Sequence, residues 1–290
     1  MISRRGARFG RGAGAVLVTV AIALGACNST GSRLRSERSA VSPSVGSPPV
    51  DPALRGAAER GAFVLRALRN EMDPASLSIP AYLERRYRLT TLAGSLAAAR
   101  RLVEAGVHRG IPSTTDGLVD PSAARPTASQ LVGSPVYERL IVAALYCTGR
   151  ESEALIQRVD AVAARGGYDL THAAIAFELG RERGCLPPAS AAPTRRRLIR
   201  ALTRAASDIA TTDDLAIERI AMLALLGAPL PGAVVRAIAG AQQPDGRWVD
   251  PTGRVPAWHP TMLAVWVMAA ASSRGHAVDF VADPPSADNR

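Results

Sequence analysis

The feature that most restricts how this chain can fold is a spacing. Apolar helix starts at Asp169, Asp214 and Trp258 lie 45 and 44 residues apart, the period of a stacked helical hairpin. Between them the helices alternate in kind. Those beginning near Pro135, Asp169, Asp214 and Pro260 carry the runs LIVAALYC, AAIAFEL, IAMLALLG and TMLAVWVMAA and are apolar around most of their circumference. Those beginning at Ser152, Thr194 and Gly232 keep Arg, Glu or Gln on one side, as a solvent-facing helix does. Buried inner helices and amphipathic outer ones follow from that alternation. After Pro52 no period-2 strand pattern interrupts it.

The 3.6-residue period predicts helices over Ala53 to Met72, Tyr82 to Ala105, Pro135 to Cys147, Ser152 to Ala164, Asp169 to Arg183, Thr194 to Ser207, Asp214 to Leu226, Gly232 to Ala241 and Pro260 to Ser272. The polar stretch Gly106 to Gly133, rich in Pro, Ser and Thr, reads as a loop over one face. The fold class is therefore all-α: an array of outer-to-inner hairpins, either an open solenoid or a closed double-layered barrel. Nine helices are fewer than a full six-hairpin barrel needs, so a short or incomplete α/α barrel is expected.

One segment has its own signature. Gln242, Gly246 and Trp248, within QQPDGRW, match Q-x-x-x-G-x-W, and His259-Pro260-Thr261 and an apolar helix follow. The segment resembles the Gln-Trp hairpin of the α/α-toroid superfamily, which includes terpenoid cyclases and protein prenyltransferase β subunits. The resemblance covers Pro231 to Ala271 and implies a toroid-like ring. Physically, the Gln amide ends an outer helix, where it can bond terminal carbonyls or neighbouring amides. Pro244-Asp245-Gly246 turns the chain, and the indole covers the turn. The motif reads as a structural clasp.

The first residues read as a processing signal. Arg4, Arg5, Arg8 and Arg11 form a positive region and Ala13 to Ala26 an apolar run of 14 residues, short for a membrane span. The run closes in Leu24-Gly25-Ala26-Cys27, which resembles a bacterial lipobox; that implies cleavage before Cys27 and lipidation of its thiol, with an ordinary secretory signal as the alternative. Asn28 after the Cys resembles an outer-membrane address in Gram-negative lipoproteins. The expected layout is a signal over 1–26, a Ser/Pro/Gly linker over 27–51, a helical-repeat domain over 52–276 and a disordered tail over 277–290. Expected partners are the membrane, through the lipid anchor, and a ligand or an envelope protein.

Charge narrows the partners further. Removing the four signal arginines from the formal +10 leaves +6, spread over many helices without a basic cluster interleaved with aromatics. Nucleic acid is therefore not an expected partner. Outside the cytoplasm the remaining Cys147 and Cys185 can pair. Each ends a predicted apolar helix, and if those helices run parallel as neighbours their ends meet. The alternative is two buried free thiols.

Familiar catalytic signatures are missing, and no catalytic residue is assigned. The nearest approach to the Asp-x-Asp-Asp acid of triterpene cyclases is Thr211-Thr212-Asp213-Asp214, which reads as a helix cap. Aromatics are only 4% of the chain, which weakens an analogy with α/α-barrel glycan lyases. One constellation stands out. Superposing the inner helices by their apolar runs aligns Tyr137-Glu138-Arg139-Leu140, Thr171-His172-Ala173-Ala174, Ile217-Glu218-Arg219-Ile220 and Trp258-His259-Pro260-Thr261. The second residues, Glu138, His172, Glu218 and His259, would gather at one mouth, with Tyr168, Asp169 and Arg219 lining it. These four suit a divalent metal such as Zn or Fe, general acid and base chemistry, a ligand mouth, or merely structural polar positions. His259 also resembles the zinc-ligand His of prenyltransferase β subunits, whose accompanying Asp-x-Cys pair is not visible here. The expected function is a lipid-anchored extracytoplasmic protein of ligand-binding or scaffold type, the alternative a metal-assisted hydrolase or lyase.

Overall fold

The computed structural model of the protein describes residues 51–106, 113–120, 122–207, 213–253, 255–272 and 278–281. The signal, the lipobox Cys27 and the linker up to residue 50 lie outside the described residues, and Asp51 caps α1. Within them the chain is all-α: α1 Pro52–Ala67, α2 Pro74–Tyr87, α3 Ser95–Glu104, α4 Val136–Leu145, α5 Ser152–Ala163, α6 Gly167–Glu182, α7 Pro188–Ser207, α8 Asp214–Leu225, α9 Gly232–Gly240 and α10 Trp258–Ser272. None of these helices is long and apolar enough to cross a membrane.

The expected division into inner and outer helices holds. α10 is buried from Pro260 through Ala269, and α8 hides nearly every residue, Asp214 and Glu218 included. α5 buries only Leu155, Val159 and Val162, and α9 only Val235 and Ile238, the one-stripe pattern of an outer helix. Contacts run from α4 to α6, to α8, to α10 and on to α2. A 3-10 segment, Ser113–Leu118, within the stretch expected to be loop, touches both α2 and α4. α2 thus joins the inner set, a role its sequence pattern did not assign.

Two starts differ from expectation for one physical reason. Pro80 and Pro193 look like first-turn prolines, which suit a helix start, yet both lie inside helices that begin at Pro74 and Pro188. The true start of α2 is set by Asp73, whose carboxylate accepts from Ser76 N at 2.9 Å, with Pro74 at the first position. The single helix expected from Tyr82 to Ala105 is two helices. The chain breaks at Arg88, the one described non-glycine residue with positive φ, and restarts after Gly94. Arg55 of α1 stabilises that break by donating to the carbonyls of Tyr87 and Arg88 at 2.9 and 3.1 Å. Those carbonyls would otherwise be orphaned at the helix end, and the turn buries Leu89 and Leu92 fully.

The Gln-Gly-Trp segment does act as a clasp, and what it holds is α1. Gln242 Nε2 donates to the carbonyls of Ala57 and Gly246 at 3.0 and 3.1 Å, while its Oε1 accepts from Arg60 at 2.6 Å. Trp248 is buried, with its indole N–H donating to Ile238 O at 2.7 Å. Gly246 has φ 89°, and a Cβ there would meet Arg60 O at 3.0 Å, so the turn needs glycine on both counts.

Two covalent and terminal features complete the frame. Cys147 and Cys185, just past the ends of α4 and α6, form a disulfide with Cα atoms 6.1 Å apart. Of the tail expected from 277 onward, residues 278–281 are packed: Phe280 and Val281 are buried, and their N–H groups donate to the two oxygens of Glu182 at 2.5 and 3.0 Å. Glu182 and Arg85 supply partners for the backbone of these residues.

Candidate functional site

The first turns of α6, α8 and α10 converge at one mouth. Asp214, the first residue of α8, is 2% exposed, where the helix dipole favours a carboxylate. Its Oδ2 accepts from the Tyr168 hydroxyl of α6 at 2.8 Å, and its Oδ1 lies 2.6 Å from His259 Nδ1 of α10. One turn along α8, on the same face, stands Glu218, 3% exposed. Its Oε1 is 3.6 Å from His172 Nδ1, beyond hydrogen-bond reach, and its buried Oε2 has no partner. An unmatched buried acceptor costs about 1–3 kcal/mol, more when charged.

The imidazole tautomers follow from their partners. His172 Nδ1 lies 2.8 Å from the Tyr168 carbonyl, which can only accept, so Nδ1 carries the proton. His259 Nδ1 likewise donates to the Asp214 carboxylate. Each ring is thereby oriented with Nε2 left for other chemistry. Burial works to lower the His259 pKa, but the hydrogen bond to Asp214 and the charges of Asp214, Glu218 and Asp73 outweigh it and raise the value above the ordinary imidazole range. Burial, followed by its bond to Asp214, pushes the Tyr168 phenol far up, so it stays a donor.

Behind this cluster lies a cavity of about 400 Å³. Its walls include Ile79, Ile141, Ile175, Met222, Met262 and Phe280, and its polar groups include His172, Glu218, His259, Asp73 and Ser76. Ser76 of α2 donates through its hydroxyl to Asp73, the residue that caps the helix, at 2.7 Å.

Three of the four aligned residues, His172, Glu218 and His259, come together here. Glu138 does not line the cavity. Its neighbour Tyr137 takes the inward place, its ring centroid 4.3 Å from that of His172. The alignment by apolar runs misplaced it because the four residues stand at the third, sixth, fifth and second positions of α4, α6, α8 and α10. Asp169 turns to the surface and pairs with Arg165 at 3.3 Å, and Arg219 donates to Ala205 O of α7 at 3.2 Å, so neither joins the cluster. Tyr168 joins through its hydroxyl. Asp214 is the functional residue that the sequence pattern hides: it stands beside Asp213 in a cap-like pair, yet Asp213 alone caps, accepting from Ala216 N at 2.7 Å. The signal for it was the four-residue spacing to Glu218.

Chemically the cluster offers an Asp-oriented imidazole suited to proton transfer, a carboxylate with one oxygen unpartnered among the described residues and a protonated phenol, all opening on apolar walls. Comparison of the chain with protein-family models, with curated proteins and with solved structures finds no match.

Proposed function

We propose that this protein binds a small ligand in the inner-helix cavity and does so at the cell envelope, tethered by a lipid on Cys27. The observation that carries the reading is the cavity itself. Its volume of about 400 Å³ falls within the usual range for small-molecule sites, as does the combination of apolar walls with a few convergent polar groups. A toroid-like ring, as the Gln-Trp hairpin resemblance implies, would give the inner helices such a common mouth.

Ligand binding is tested with an apolar fluorophore such as 1-aminoanthracene. Saturable one-to-one binding is expected, abolished in Ile175→Trp, where the indole fills the cavity, while the thermal midpoint is kept. Absence of saturable binding in the native chain removes the reading. Membrane attachment is tested separately with labelled palmitate in a bacterial host: Cys27→Ser should lose both label and membrane association, and label retained in the variant refutes the anchor.

A second reading, a metal-assisted hydrolase or lyase, is favoured by one observation, the buried and unpartnered Oε2 of Glu218 beside two oriented imidazoles. A hydrolase screen of envelope esters and amides with added Zn or Fe checks it; inactivity of a fully loaded protein across that screen counts against it.

A further inference from the structure

We infer that His172, Glu218 and His259 form a two-imidazole, one-carboxylate site for a single divalent transition ion of the Zn(II) or Fe(II) class. The inference rests on the reading that this mouth is the functional site, and it deepens that reading by naming the group held there.

Three independent observations support it. First, both imidazoles are already prepared as ligands. A metal-binding histidine characteristically donates its second ring N–H to a carboxylate or a backbone carbonyl, which fixes the tautomer and leaves the other nitrogen for the ion. His259 does this toward Asp214 at 2.6 Å and His172 toward the Tyr168 carbonyl at 2.8 Å. Second, Glu218 lies beside both, and its Oε2 is buried without a partner. A carboxylate held so deeply calls for a cation, and none of the described residues supplies one to that oxygen. Third, ligand-capable atoms of Glu218 and His259 lie within 4.8 Å of each other, and the His172 ring borders the same cavity, its Nδ1 3.6 Å from Glu218 Oε1. Two donors each about 2.1 Å from one tetrahedral ion would be about 3.4 Å apart, so the ion would draw Glu218, His259 and, from farther out, His172 toward one point.

Asp214 is a positioning residue rather than a ligand. Both of its oxygens are engaged, one by Tyr168 and the other by His259, and removing it from either would free the ring it orients. Two nitrogens and one oxygen select a borderline transition ion over Mg or Ca, which prefer all-oxygen shells. Three protein ligands leave at least one coordination position open, and the groups that surround it belong to the apolar cavity.

The test uses the full chain, stripped with chelator and titrated with Zn(II), Fe(II) and Co(II), read by elemental analysis and by the visible Co(II) spectrum. One equivalent is expected. Glu218→Gln, His172→Ala and His259→Ala should each weaken binding at least about 10-fold, and Asp214→Asn by about 10- to 100-fold, as outer-shell partners do. Glu138→Gln should bind as the native chain does. Should the imidazole variants misfold, the native Co(II) form still decides: coordination through Nε2 leaves two Nδ1–H protons, seen as two paramagnetically shifted exchangeable proton resonances. No retained metal, unchanged affinity in Glu218→Gln, or absence of those two resonances overturns the site. Fluorophore binding without metal would sink this inference and leave the ligand pocket standing; metal without fluorophore binding would do the reverse.

Discussion

At the scale of single residues, Gly61 marks the closest approach of two helices. A Cβ built there would lie 2.5 Å from Val265 Cγ2 and 2.8 Å from Trp248 Cζ3, and neither neighbour is free to retreat because both are buried. Gly61→Ala gains about 1 kcal/mol of helix propensity but must displace packed atoms at about 1–3 kcal/mol. Net destabilisation of roughly 1–2 kcal/mol is therefore expected from urea unfolding; a stabilised variant would show that α1 can shift off α10. Residue identity was unevenly legible. Gln242, Gly246 and Trp248 announced themselves because their spacing is local, whereas Gly61 looked like any helix glycine, its partner lying far along the chain. In the site, His172, Glu218 and His259 were readable from composition within apolar runs. Tyr137 and Asp214 were not, since helical phase, and not order in the sequence, decides which residue faces the mouth.

At the scale of elements, the packed segment Val278 to Val281 docks on the carboxyl of Glu182 of α6, with Arg181 beside Asp279 and Arg85 of α2 donating to two of its carbonyls. Burial pushes Glu182 up to about 7, helped by the charges of Glu178 and Asp279 and opposed by the bonds from Phe280 and Val281. The folded chain therefore keeps a proton that the unfolded chain releases near 4.5. The destabilising contribution is absent below that value, grows as pH rises and is complete above about 7. The shift corresponds to a difference on the order of 3 kcal/mol. Comparing unfolding at pH 5 and pH 8 in the native chain and in Glu182→Gln should show a smaller loss at pH 8 in the variant. Parallel profiles would mean that Glu182 does not carry the dependence. Element boundaries were legible wherever a cap and an apolar phase agreed, as at Asp214 to Leu226. They failed where proline permits two readings, since a first-turn proline and an interior one look alike until burial of the preceding turn is known. The break at Arg88 was invisible for a related reason, because its stabilising donor, Arg55, comes from another helix.

At the scale of the whole molecule, inner and outer helices were legible from hydrophobic phase alone, but the order in which they touch was not. The inner role of α2 depends on contacts with α10 and with the 3-10 segment, distant in sequence and without a shared pattern. The disulfide, which the sequence left open against two buried free thiols, joins the ends of α4 and α6 and closes 38 residues, worth about 4 kcal/mol in the chain-entropy model. The Cys147→Ser/Cys185→Ser protein should keep its helicity and lose roughly 3–4 kcal/mol in denaturant unfolding, whereas unchanged stability would mean that the reduced chain is already constrained. The position of that bridge has a mechanical consequence. α4 and α6 present Tyr137 and His172 to the mouth at one end and are bolted together by sulfur at the other, like the two arms of a pair of tweezers. Any parting of those rings is then a rotation about the bolt. With α4 10 residues long, hence about 15 Å, widening the gap by 1 Å takes a tilt of only about 4°. The pair would thus part first at the mouth, while its far end stays shut.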